Sequence, residues 1–194
     1  MSHQPLPDDL RALLVMLDDV DGDVRALTDG LTETGGAWRA SATSWSVAEC
    51  LDHLATANRV YLAAMTPAAM AARAAGRARR GPATPGVIGR WFVRSMEPPV
   101  TTPMKGRAPG AIRPRTAPPL ASARSDFAAS QEAVRAFIRE QADLDLAGVR
   151  FVNPFVAGVR FSLATGLHVV AAHERRHVWQ AWRVRRAGAT ALAA

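Results

Sequence analysis

The sequence predicts an all-α fold, an up-down four-helix bundle with a long Pro/Gly-rich excursion between helices 2 and 3. Three observations predict it. Apolar residues recur at three- and four-residue spacing over four long segments, no segment shows the strict alternation of a half-buried strand, and helix start and stop signals fall between the segments. At 194 residues the chain is expected to form one domain, residues 1–194, large enough to bury a single core.

The first helix is predicted from about Asp8 to Glu33, because Leu10, Leu13, Leu14, Leu17, Val20, Val24, Leu27 and Leu31 fall on one face, and Thr34-Gly35-Gly36 is expected to end it. The stretch from Ala37 to Trp45 reads as a connection. Ser46-Val47-Ala48-Glu49 is a capping box, in which the Ser hydroxyl accepts from the third helical N–H while the Glu side chain reaches back to the Ser N–H. A second helix therefore starts there and runs to about Ala75, with Pro67 expected to kink or briefly interrupt it.

Residues 81 to 119 are rich in Pro and Gly, and only Val87 to Met96 offers the apolar residues of a short helix. Unstructured loops of that length are uncommon in a compact domain, so this excursion is expected to serve as a lid or wall for a site. A third helix is predicted from about Ala121 to Ala142, carried by Phe127, Val134, Phe137 and Ile138. Leu144 to Phe161, containing Asn153-Pro154 and Gly158, reads as another connection, and the fourth helix from about Ser162 to Arg186, with Gly188 as its stop.

Composition narrows the functional classes. Every apolar run is broken by Arg, His, Pro or Asp before the roughly 18 residues that a membrane-spanning helix needs. The N-terminus lacks the basic start and apolar core of a signal peptide, so a cytoplasmic location is expected, and the single Cys50 allows no internal disulfide. A net charge of +7 invites a nucleic-acid partner. The distribution argues against one: the basic residues are Arg apart from Lys105, Ala is abundant, and the clusters Arg73, Arg77, Arg79, Arg80 and Arg175, Arg176, Arg183, Arg185, Arg186 read as solvated helix faces.

The chemistry-bearing residues are histidines. His173 and His177 lie at i and i+4, one turn apart on one helix face that also carries Gly166, Val170, Gln180 and Val184, with Arg175 and Arg186 on the far side. Two ionisable rings on an apolar stripe are costly to bury unless each finds a partner, and a metal ion partners both. HxxxH alone is a weak pattern, since an inward His is more often a hydrogen-bonded core residue. His53 strengthens it by sharing an apolar stripe with Ala57, Val60 and Ala64 on the second helix. Three imidazoles with an open position are the ligand set of a catalytic zinc-type site. His168, about 140° from His173 around the helix, is out of phase, and His3 lies near the terminus. Glu49 is read first as a helix cap and second as a carboxylate partner for a ligand His, and Gln180 as polar packing or a contact to a metal-bound water. Cys50 is read as a small buried residue before a ligand or nucleophile.

The segment Trp45-Ser46-Val47-Ala48-Glu49-Cys50-Leu51-Asp52-His53-Leu54 resembles the second-helix signature of the DinB-like family, and His173-Glu174-Arg175-Arg176-His177-Val178-Trp179-Gln180 resembles its fourth-helix motif. The Glu97-Pro98-Pro99 loop is similar to the long connection of one branch, and the resemblance covers roughly residues 8 to 187. It implies a four-helix bundle, frequently a homodimer, with a divalent transition metal, Zn or Ni first, on His53, His173 and His177. Characterised relatives include thiol-dependent S-transferases using bacillithiol or similar thiols and a mycothiol-dependent isomerase, while the family name implies no binding to DNA.

The expected function is accordingly a metal-dependent enzyme of the thiol S-transferase or hydrolase type, acting on a small-molecule substrate and possessing, in the first case, a low-molecular-weight thiol cosubstrate. The metal would lower the pKa of a water or thiol at its open position. The alternative is a non-catalytic bundle that uses the metal for stability or partner recognition, which a closed fourth position would favour.

Overall fold

The computed structural model describes residues 5–99 and 109–192, so that His3, Lys105 and the middle of the excursion lie outside the described residues. Among the described residues the chain is mostly helical, with six helices and one two-stranded sheet, and no helix is long and apolar enough to cross a membrane. Four long helices carry the core: α1 (Asp8–Thr28), α3 (Val47–Ala74), α5 (Leu120–Glu140) and α6 (Leu163–Leu192), with the short α2 (Glu33–Ala37) and α4 (Val87–Met96) between them. Helix α3 packs against both α5 and α6, α1 packs against α6, and α4 lies across α6.

Several boundaries differ from the sequence expectation, each for a local reason. Helix α1 stops at Thr28, whose hydroxyl turns back onto the Val24 carbonyl at 2.8 Å, and Gly30 follows in the left-handed region at φ 63°. Thr32 then caps a new short helix by accepting from the Gly35 N–H at 3.1 Å, so Gly35 and Gly36 lie inside α2 instead of ending α1. Leu31 keeps the apolar period because it still packs on the core. Pro67 does not interrupt α3, which runs unbroken from Val47 to Ala74. It sits on the exposed side with Ala63, the residue whose carbonyl loses its helical N–H partner to the proline.

Gly188 is not a stop. Helix α6 runs through it, and a Cβ there would stand 3.0 Å from the Trp38 ring, so the missing side chain makes room for that indole. The predicted connection between the third and fourth helices holds an antiparallel hairpin, β1 (Arg150–Val152) with β2 (Arg160–Ser162), in which Phe151 and Phe161 pair and point inward. Asn153 closes its turn by accepting from the N–H groups of Phe155 and Val156.

The core has two apolar clusters. One gathers Leu10, Leu17, Met65, Ile138 and Leu167, the other Leu27, Leu51, Leu54, Phe127 and Val178. Along α3, α5 and α6 the same intermediate positions are polar: His53 and Asn58, Ser130 and Gln131, His173, Glu174 and His177. A polar layer thus divides the core midway along the helices. Burying it is tolerable only because its members pair with one another.

Helix α4 is amphipathic. Phe92, Val93 and Met96 pack on the first cluster while Val87, Ile88 and Trp91 face outward. It approaches α6 closely because residue 89 is glycine: a Cβ there would stand 2.6 Å from the Thr165 hydroxyl. Arg175 on α6 holds the far end through Glu97, with Nε to Oε2 at 2.9 Å.

Candidate metal centre

The polar layer opens on one side into the candidate site. The capping box is complete: the Glu49 N–H donates to the Ser46 hydroxyl at 3.2 Å and the Ser46 N–H to Glu49 at 2.9 Å. This fixes where α3 begins, and His53, two turns on, faces the His173 and His177 pair of α6. The ligand nitrogens of the three rings all lie within 4.8 Å of one another. His53 Nε2 is 3.2 Å from His173 Nε2. Two nitrogens at zinc-ligand distance on a tetrahedral ion stand about 3.3 Å apart, so this pair already has the spacing that a shared metal requires.

The outer nitrogens support the same geometry. His53 Nδ1 faces the Ile112 carbonyl at 2.5 Å, and a carbonyl only accepts, so the neutral ring carries its proton on Nδ1 and leaves a lone pair on Nε2. His177 Nδ1 donates likewise to Gln180 Oε1 at 3.0 Å. Partners of this kind fix ring orientation and tautomer at metal sites. Burial holds all three rings below the ordinary histidine pKa: His173 falls to about 3, His177 well below normal and His53 less, with mutual repulsion adding at the first two. The rings are therefore neutral at pH 7, the state in which imidazole binds a metal.

Around the rings lies a cavity of about 850 Å³. Trp45 flanks it, its ring centroid 4.7 Å from that of His53 and 5.7 Å from that of His177. Phe92 and Met96 from α4 and Phe155 and Val156 from the hairpin turn supply apolar wall, with Arg176 and Tyr61 among the polar groups. Burial raises the Tyr61 phenol well above its usual range, so it stays protonated. Among the described residues no carboxylate lines this cavity.

The remaining sequence candidates fall elsewhere. Both Glu49 oxygens are engaged, one in the cap and the other by Arg39, and neither meets a histidine. Gln180 lines the cavity and its carbonyl oxygen is turned to His177. Cys50 is fully buried in the second apolar cluster, where desolvation pushes its thiol pKa up and disfavours the thiolate. His168 stands apart, with Nε2 3.2 Å from the Ala83 carbonyl. Several arginines have structural partners: Arg73 with Asp143, Arg79 with Asp9, and Arg185 with the carbonyls at the end of α1.

Sequence reasoning missed the backbone carbonyl of Ile112 and what holds it. Ile112 closes a 3₁₀ turn, Gly110–Ile112, and just beyond it the Arg115 N–H and Nε both donate to buried Asp52 at 2.7 Å. The signal available was Asp52 itself, an acid beside His53 in an otherwise apolar stretch. Also missed was Glu174, fully buried, which accepts from Asn58 at 2.8 Å and Gln131 at 2.9 Å. Burial raises its pKa to about 8.

A family model described as the DinB superfamily matches residues 16–181. No curated protein and no solved structure matches the chain.

Proposed function

The chain belongs to the DinB superfamily, and we propose that it is a divalent-metal-dependent enzyme acting on a small-molecule substrate, with His53, His173 and His177 as the metal ligands. The observation that carries this reading is the convergence of three neutral imidazoles on the wall of an 850 Å³ cavity, two of them with their Nδ1 protons already committed. Among the described residues no thiol or carboxylate joins the group as a fourth ligand. Structural zinc sites are closed by four protein ligands, whereas catalytic ones keep a position open, and this donor set fits the second kind.

Imidazole ligands suit Zn and Ni, the two metals favoured here, and a divalent ion so held supplies Lewis acidity that lowers the pKa of a water or thiol sharing its site. The chain's own residues do the rest. Ile112 and Gln180 hold the protons on the outer ring nitrogens, Trp45 shields two rings from bulk water, and Phe92, Met96, Phe155 and Val156 offer an organic substrate its apolar contacts. Of the two reaction types, transfer of a low-molecular-weight thiol to an electrophile stands ahead of hydrolysis on family resemblance, and the four long helices are read as the family's bundle.

Metal analysis of the purified wild type beside His53→Ala, His173→Ala and His177→Ala tests this. The expected result is one equivalent of divalent metal in the wild type and its loss in each variant. Absence of stoichiometric metal under any supply, or retention by all three variants, overturns the reading. Incubation of the metallated protein with thiols and electrophiles then reads metal-dependent turnover.

A further inference from the structure

Arg176 lines this cavity without a hydrogen bond or ion pair among the described residues. It is partly buried, on α6 between the two ligand histidines, and lines the cavity. The other arginines that are partly or wholly buried all have acceptors: Arg79 has Asp9, Arg135 has Asp18 and Asp21, Arg175 has Glu97, and Arg185 has three carbonyls. Arg176 has neither a hydrogen bond nor an ion pair among the described residues. The contrast with its neighbour is direct, since Arg175, one residue earlier in the same turn, is neutralised by Glu97.

Among the described residues lining the cavity the ionisable ones are three histidines, Tyr61, Arg113 and Arg176, with no Asp or Glu to answer the charge. A divalent ion on the histidines would add two more positive charges. A half-desolvated guanidinium beside such a centre is unfavourable until an anion joins it, and its planar fork fits a carboxylate with two parallel hydrogen bonds. In the same wall the Asn153 side chain interacts with the Tyr61 hydroxyl, so that among the described residues Arg176 is the donor left without an acceptor. The apolar wall completes the specification, because a bare inorganic anion would leave the aromatic and aliphatic contacts unused.

We infer that the cavity takes an organic carboxylate, its apolar body against Phe92, Met96 and Phe155 and its carboxylate on Arg176. The inference rests on reading this cavity as the substrate site and adds the chemical class of what enters it.

The test uses the metal-loaded full chain and two isosteric probes, 3-phenylpropanoate and 3-phenylpropanamide, titrated calorimetrically into wild type, Arg176→Gln and Arg176→Lys. A charge-assisted bidentate pair predicts that wild type prefers the carboxylate at least tenfold, that R176Q loses most of that preference, and that R176K keeps part of it. Equal binding of the two probes by wild type overturns the inference without any variant. So does a full preference in R176Q, which would mean that the metal or another group holds the anion. Metal content measured on the same samples keeps the two readings apart. Lost preference with metal retained concerns Arg176 alone, whereas a preference kept in protein that holds no metal sinks the metal reading and leaves this one standing.

Discussion

His53 and Ile112 stand 59 positions apart, and the imidazole Nδ1–H of one donates to the backbone carbonyl of the other. A histidine of the candidate metal centre is thereby oriented by a segment of the excursion, and that segment is in turn held by Arg115 on Asp52, the residue beside His53. Ring orientation and the docking of the loop are coupled through two adjacent residues of α3.

Asp52→Ala should loosen both. It removes the acceptor of the Arg115 N–H and Nε while Asp126 still holds the end of the guanidinium, and Tm should fall. Metal affinity should fall about tenfold, as for other losses of a partner behind a ligand. Calorimetric melts and chelator competition read the two effects. A melt that shifts while metal affinity stays put would show that Ile112 does not depend on Asp52.

Gln180→Ala removes the acceptor of His177 Nδ1. The ring can then rotate or change tautomer, and the expected outcome is a metal affinity lower by about 10–100-fold with little change in Tm of the metal-free protein. Gln180→Glu restores an acceptor and should retain most of the affinity. Equal affinities for all three proteins would remove Gln180 from the site.

The pH dependence of stability follows from Glu174 and the histidines. Burial raises the folded pKa of Glu174 to about 8 from an ordinary 4.5, so between those values the folded protein holds a proton that the unfolded chain has lost. Stability of the metal-free protein should therefore fall as pH rises from 7 to 8, with a slope of up to about 1.4 kcal/mol per pH unit. The histidines act oppositely and lower on the scale. Their folded pKa values are depressed, so their contribution is present above pH 6.5 and is lost as pH falls through and below that value. Glu174→Gln should abolish the alkaline slope and leave the acid one. It also offers an amide donor to Gln131, whose Oε1 is buried without a partner. Denaturant titrations from pH 5 to 8.5 check it, and an unchanged alkaline limb in the variant would refute the assignment.

Gly166→Ala tests the packing beneath the site. A Cβ there would stand 2.7 Å from the Met65 sulfur and 2.9 Å from the Phe151 ring, both fully buried. Overpacking of this kind costs about 1–3 kcal/mol, more than the helix gains from losing a glycine. Gly81→Ala meets nothing within 4 Å and serves as the neutral control. Thermal melts of the two variants should separate clearly.

The histidine cluster was legible because helical phase acts on side chains: one period placed His173 and His177 together, put His168 out of phase, and gave His53 an inward stripe. The Ser46 and Glu49 cap was legible for the same reason, being a side-chain pattern of fixed spacing. The Ile112 carbonyl was not, since a backbone acceptor leaves no mark on residue type. Gly188 misled because one letter serves two physical roles, a helix stop and a socket for a neighbouring ring. The hairpin strands are three residues each, too short for alternation to register against the flanking helices. Glu174 was hidden between two histidines, although Asn58 and Gln131, polar residues on otherwise apolar stripes, could have announced its partners.

Gly89 sets how near α4 lies to Thr165, and α4 carries Phe92 and Met96 into the cavity. The width of the cavity is therefore governed from a position that does not line it. Any larger residue at 89 should lever the helix outward and widen the cavity while His53, His173, His177 and the other lining side chains remain the same.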